Sequence, residues 1–142
     1  MDHKKIELVQ ASWKKVLTVG DAAAQLFYTR LFTLDPSLRP MFKGEMGEQG
    51  RKLMGMISVA VNGLSRIETL VPAIEALGRR HVGYGVRDRH YLTVGEALLW
   101  TLEQGLGKDF TPETKQAWIE AYGLLATTMQ NGAKAETQAK AA

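Results

Sequence analysis

The pattern that most constrains this chain is periodic. Apolar side chains recur at three- and four-residue steps through almost the whole length, while sustained two-residue alternation is absent. Over residues 4–19 the stripe is Ile6, Val9, Trp13, Val16 and Leu17. Gly20 ends that run, Asp21 is placed to cap the next, and Ala24, Phe27, Tyr28, Leu31 and Phe32 continue the pattern. Pro36 and Pro40 interrupt LDPSLRPMF, which suits one short turn of helix, and KGEMGEQG reads as loop. A helix over about 48–64 carries Leu53, Ile57, Val61 and Leu64. Another over 70–82 aligns Leu70, Ile74, Leu77 and His81, with Pro72 expected in its first turn. Helices over 90–106 and 112–131 follow, the last opened by Thr111 as cap with Pro112 at the first helical position. Seven helical segments with short connections predict one all-α domain over residues 1–131. Residues 132–142 lose every large apolar side chain and are expected to form a frayed or disordered tail.

Composition narrows the chemistry. With 142 residues, 45% apolar and 23% charged, the chain can bury a substantial core as a soluble protein. It has no cysteine, which removes disulfides, thiolate nucleophiles and sulfur-ligated metals. The N-terminal MDHKKIELVQASWKK is amphipathic rather than continuously apolar, and no run reaches bilayer length. A cytoplasmic protein with no membrane partner is the expectation. The charge of +3 is spread along the chain without a basic stripe interleaved with aromatics, so nucleic acid is not an expected partner.

Against that background one segment stands out, LGRRHVGYGV at 77–86. The Leu70–Ile74–Leu77 stripe turns His81 inward, and the glycines beyond it stop the helix. A lone inward histidine is commonly a core residue bonded to backbone carbonyls, or a cation near a helix C-terminus. One imidazole is too few for zinc, which takes three or four protein ligands. It suffices for an iron already held by the four nitrogens of a porphyrin. Tyr28 lies on the inward stripe of its helix, where a phenol needs a hydrogen-bond partner. Gln49, four residues before Leu53, also faces inward by spacing, although a glutamine at a helix start often bonds its own backbone. Phe42 follows the second proline as an aromatic fixed on a tight turn.

These residues carry a family resemblance. LFYTRLF (26–32), DPSLRPMF (35–42), EQGRKL (48–53), LGRRHVGYGV (77–86), HYLTVGEALL (90–99) and AWIEAYGLLA (117–126) together resemble the globins in order and spacing. The likeness is to single-domain bacterial globins and flavohaemoglobins, with a second half also similar to neuroglobin. It implies a globin fold, a 3-on-3 helical sandwich of helices A–H in which the D helix is short or absent. It implies haem b (iron protoporphyrin IX) with His81 as the proximal metal ligand, its other ring nitrogen tied to a carbonyl. Phe42 would lie on the porphyrin, with Val86, Tyr91 and Val94 against it and Lys52 placed to reach a propionate. Tyr28 and Gln49 would be distal hydrogen-bond donors to dioxygen, with Leu53 closing the space above the iron.

The departures matter too. Where neuroglobins carry a distal histidine this chain has Gln49, and His3 and His90 fall outside the slot, so a second imidazole on iron is not expected. Tyr91 matches a flavohaemoglobin tyrosine, but the glutamate that accompanies it there is replaced by Ala133. The implied function is reversible, high-affinity binding of O2, with CO and NO as further gaseous ligands, for storage, scavenging or transport. The alternative is a nitric oxide dioxygenase served by a separate reductase. A monomer or weak homodimer is expected.

Overall fold

A computed structural model describes the backbone of residues 1–141 and the side chains of residues 1–135. Six α-helices follow in order: α1 (His3–Leu17), α2 (Gly20–Leu34), α3 (Met46–Asn62), α4 (Ile67–Gly83), α5 (Asp88–Leu106) and α6 (Pro112–Ala141). A short 3-10 segment, Pro36–Met41, joins α2 to α3, and two more single turns lie at Leu64–Arg66 and Gly107–Asp109. No strand occurs among the described residues, and residues 42–45 form no helix, in line with an absent D helix. The expected all-α architecture is what the chain adopts.

Local chemistry explains most of the boundaries. Asp2 caps α1 by accepting from the Lys5 N–H at 2.9 Å. Glu45 caps α3 through the N–H groups of Gly47 and Glu48 at 2.9 and 3.1 Å. Thr111 Oγ1 accepts from the Thr114 N–H at 3.1 Å, so the expected cap of α6 is present. Two boundaries differ from expectation. Asp21 lies in the first turn of α2, and the cap position is Val19, which makes no side-chain cap bond. The helix expected at 70 begins at Ile67, so Pro72 is its sixth residue rather than part of its first turn.

The helices pack in crossed pairs, α4 most extensively on α6, then α2 on α5, α1 on α6 and α2 on α3. Val9, Trp13, Val16, Leu31, Val61, Leu102, Ala117 and Trp118 form the middle of the core, all buried. Trp13 and Trp118 meet with ring centroids 5.9 Å apart. Their indole N–H groups donate to the hydroxyls of Ser58 at 2.9 Å and Ser12 at 2.8 Å. Each buried donor is thereby satisfied. This double-tryptophan junction locks α1, α3 and α6 together.

Helix α6 runs past Gly132, where the sequence suggested that the ordered domain would end. Gly132 is buried and presses its main chain against α4. The segment needs no large apolar side chain because backbone meets backbone there. The frayed-tail expectation also covers the side chains of 136–142, which lie outside the described residues.

Candidate functional site

His81 stands in the last turn of α4, half-buried. Its Nδ1 lies 2.7 Å from the carbonyl oxygen of Leu77, one turn back. A carbonyl can only accept, so Nδ1 carries the proton and Nε2 presents its lone pair. Burial pushes the imidazole pKa below its ordinary value, with the Leu77 bond opposing that and Arg80 adding to it. The ring is therefore neutral near pH 7. The helix stops two residues on, where Gly85 takes φ 90°, a conformation that favours glycine. A Cβ on Gly85 would lie 3.7 Å from Met41 Cε, so this corner touches the end of the Pro36–Met41 turn.

Tyr28 is buried in α2 and donates its hydroxyl to the main-chain oxygen of Gln49 at 3.2 Å. Burial raises the phenol pKa to about 12, which keeps it a proton donor across the physiological range. Its ring packs edge-on against Phe42 at 5.3 Å and roughly parallel to Phe32 at 6.0 Å. Phe42 and Phe32 in turn meet at 5.4 Å. The fold thus brings Tyr28 and Phe42 together and adds Phe32, by sequence an ordinary stripe residue. Its signal was the four-residue step from Tyr28, which puts both rings on one helix face.

Gln49 takes the backbone bond that a glutamine at a helix start commonly makes. Its amide Nε2 donates to the Lys43 carbonyl at 2.7 Å, on the exposed side of the α3 start. Gly44, at φ 91°, bends the chain next to that carbonyl. What Gln49 turns toward Tyr28 is its main-chain oxygen, not its amide.

Leu53, one turn further along α3, is partly buried. With Phe27, Ile57, Leu98 and Leu102 it lines a small apolar cavity of about 10 Å³. Val86 and Val94 are half-buried and Tyr91 is buried at the start of α5. The Tyr91 hydroxyl is enclosed without a hydrogen-bond partner among the described residues, while its main-chain oxygen accepts from Tyr122 at 2.5 Å. Lys52 is exposed, and only its place next to Leu53 links it to the group. The other histidines stand apart. His3 is exposed and pairs with Glu7 at 2.8 Å, and His90 is buried with Nδ1 accepting from the Arg87 N–H at 2.9 Å.

Two histidines with lowered pKa values make stability acid-sensitive. Burial is the largest cause at both His81 and His90, so below the ordinary value of 6.5 the unfolded chain takes up protons first. Apo-protein stability should be full above that pH and fall as pH drops through and beneath it. The slope is at most about 1.4 kcal/mol per pH unit for each histidine. Urea unfolding at pH 7 and pH 5.5 measures the loss, and His81→Gln with His90→Gln should flatten it; an unchanged slope would contradict the assignment.

The fold and the site define a class: a six-helix domain that offers one oriented, neutral imidazole on α4 and a buried phenol set among aromatic rings on α2. A globin family model matches residues 25–129. Neuroglobin of Tetraodon nigroviridis is 30% identical over 93% of this chain and 92% of its own length. A flavohemoprotein of Bordetella parapertussis is 34% identical over 84% of this chain, which spans 30% of that protein. A bacterial globin from Campylobacter jejuni superposes with a TM-score of 0.84 at 25% identity, covering 96% of this chain and 99% of its own. A proposed nitric oxide dioxygenase of Rhodothermus marinus, in a form engineered as a carbene transferase, gives 0.83 at 28% identity, covering 99% of this chain and 96% of that one. The chain belongs to the globin family.

Haem is the cofactor that family membership implies, and the residues present fit it. No three histidine, aspartate or glutamate side chains converge among the described residues to hold a metal by themselves. A single imidazole with Nδ1 engaged and Nε2 free suits a metal whose remaining in-plane ligands come from a macrocycle. Phe42 and Val94 provide apolar surface, both partly buried against the core.

Proposed function

We propose that this globin binds dioxygen reversibly and with high affinity on haem b. The observation that carries the reading is the hydrogen bond from His81 Nδ1 to the Leu77 carbonyl, which fixes the tautomer an iron ligand needs. Haem b would supply the ferrous iron that binds O2, CO or NO. His81 would hold the iron, Phe42 would lie on the ring, and Val86, Tyr91 and Val94 would touch its edge. Lys52 would reach a propionate, and Leu53 would limit the space on the distal side.

Tyr28 carries the discrimination between ligands. Its hydroxyl proton points at a carbonyl in α3 and can turn toward an acceptor that bears negative charge. Such a hydrogen bond contributes about 1.5–3 kcal/mol. A neutral ligand such as CO gains little. Gln49 is the second donor in this reading, and its amide must leave the Lys43 carbonyl to act. Tyr28→Phe should therefore speed oxygen release roughly ten- to hundredfold, at 1.4 kcal/mol per factor of ten, with little change for CO. Stopped-flow dissociation of the ferrous protein decides it; an unchanged oxygen rate removes Tyr28 from the distal site.

The second reading is nitric oxide dioxygenation to nitrate with a separate reductase. It draws support from the likeness to the Rhodothermus marinus protein and to the flavohemoprotein. Steady-state NO consumption with a flavin reductase present separates the two. One equivalent of nitrate per protein supports the carrier, and sustained turnover supports the enzyme. Cytoplasmic location and a monomer or weak homodimer complete the proposal.

A further inference from the structure

Two glycines do something no others in the chain do. A Cβ built on Gly78 of α4 would lie 1.9 Å from the Met129 carbonyl oxygen of α6. A Cβ on Gly132 of α6 would lie 2.1 Å from the Glu75 carbonyl oxygen of α4. The contact is reciprocal, each helix setting a glycine against the other's main chain. Gly63 and Gly95 also sit close to neighbours, but the nearest atoms are the far ends of the Leu70 and Tyr122 side chains. Gly50 meets only the Cβ of Ala24, at 2.9 Å, a much milder approach than 1.9 or 2.1 Å to main chain. Main chain in the middle of a helix cannot give way without moving the whole helix. Both glycines are buried, and the helices they join form the most extensive pair in the fold.

We propose that this Gly78–Gly132 crossing is the device that positions His81. The turn of α4 from 75 to 78 contains both contact points, and Leu77 within it supplies the carbonyl that holds His81 Nδ1. The distance between α4 and α6 therefore sets where that carbonyl, and the imidazole bonded to it, stand. An ordinary carbon–oxygen contact is about 3.3–3.6 Å, so an added methyl at either glycine forces the axes apart by on the order of 1 Å. The crossing makes no use of haem, so α4 keeps its place before the cofactor arrives. The positioning role rests on the haem reading; the clamp does not.

Gly78→Ala and Gly132→Ala test this against Gly123→Ala, a substitution in α6 whose Cβ meets nothing within 4 Å. Alanine is the better helix former at all three sites, so propensity alone would make the three variants alike. In the apo-protein, amides 70–82 should be protected from hydrogen exchange in wild type and in G123A. In G78A and G132A their protection should drop about tenfold or more, while α1 and α2 change little. In the ferrous haem-loaded protein, the iron–histidine stretching band should shift in G78A and G132A and stay fixed in G123A. A wild-type apo-protein whose amides 70–82 exchange freely overturns the clamp, even if neither glycine variant folds. Clamp variants that lose protection while the iron–histidine band holds its frequency overturn the positioning role. A wild-type protein that takes up no haem sinks the haem reading instead and leaves the exchange result to judge the clamp.

Discussion

Replacing His81 by glycine should leave a folded, helical protein that holds haem poorly and shows an altered spectrum. His81 is half-buried near the end of α4, two residues before the helix stops, so its removal deletes little packing. What it deletes is the free Nε2. Loss of a partner that merely orients a metal ligand typically costs 10–100-fold in metal affinity. Loss of the ligand itself should therefore speed haem dissociation by more than about 100-fold. Imidazole added to the solution can enter the space left by the side chain, and it should restore part of the wild-type spectrum. Haem transfer to an excess of acceptor, with and without imidazole, measures both effects. Rescue is the informative half, because a general loss of structure would not respond to it.

Trp118→Ala should cost the most stability. Trp118 is 2% exposed, packs against Trp13 at 5.9 Å and donates to Ser12 at 2.8 Å. Truncation leaves a large cavity where α1, α3 and α6 meet and strips a buried hydroxyl of one of its partners. Changes of this kind cost about 3–5 kcal/mol, a large share of the 5–15 kcal/mol that holds a typical domain together. Urea unfolding of the apo-protein measures it, and Trp118→Phe should lose less because most of the volume remains. A loss under about 1 kcal/mol would show that the junction is not the centre of the core.

Most of the fold was legible because helical periodicity reports burial directly. Ile6, Val9, Trp13 and Val16 of the first stripe are all buried, with only Leu17 at its end exposed at 42%, and the Thr111–Pro112 start of α6 follows from capping chemistry alone. The limits came where side-chain pattern and contact part company. Gly132 carries no apolar side chain, so a reading based on hydrophobicity ended the domain there, yet it makes one of the tightest approaches in the molecule. Pro72 suggested a helix start because proline favours a first turn, but α4 begins five residues earlier, behind the single turn at Leu64–Arg66.

The site divides in the same way. Tyr28 is buried and His81 and Phe42 are half-buried, as their places on apolar helix faces and a tight turn suggested. Spacing gives the face of a helix but not the rotamer, and the Gln49 amide took the nearer acceptor at Lys43. Phe32 was visible as a periodic residue, whereas its place beside Tyr28 and Phe42 depends on the turn at Pro36–Met41 bringing Phe42 back.

Resonance Raman spectroscopy of the ferrous, gas-free protein addresses the account at its centre. It predicts a low-frequency band from an iron–imidazole bond that shifts when the protein is labelled with ¹⁵N-histidine and is missing from His81→Gly until imidazole is supplied. A label-sensitive band of unchanged intensity in His81→Gly without imidazole would place the iron on another residue and contradict the account.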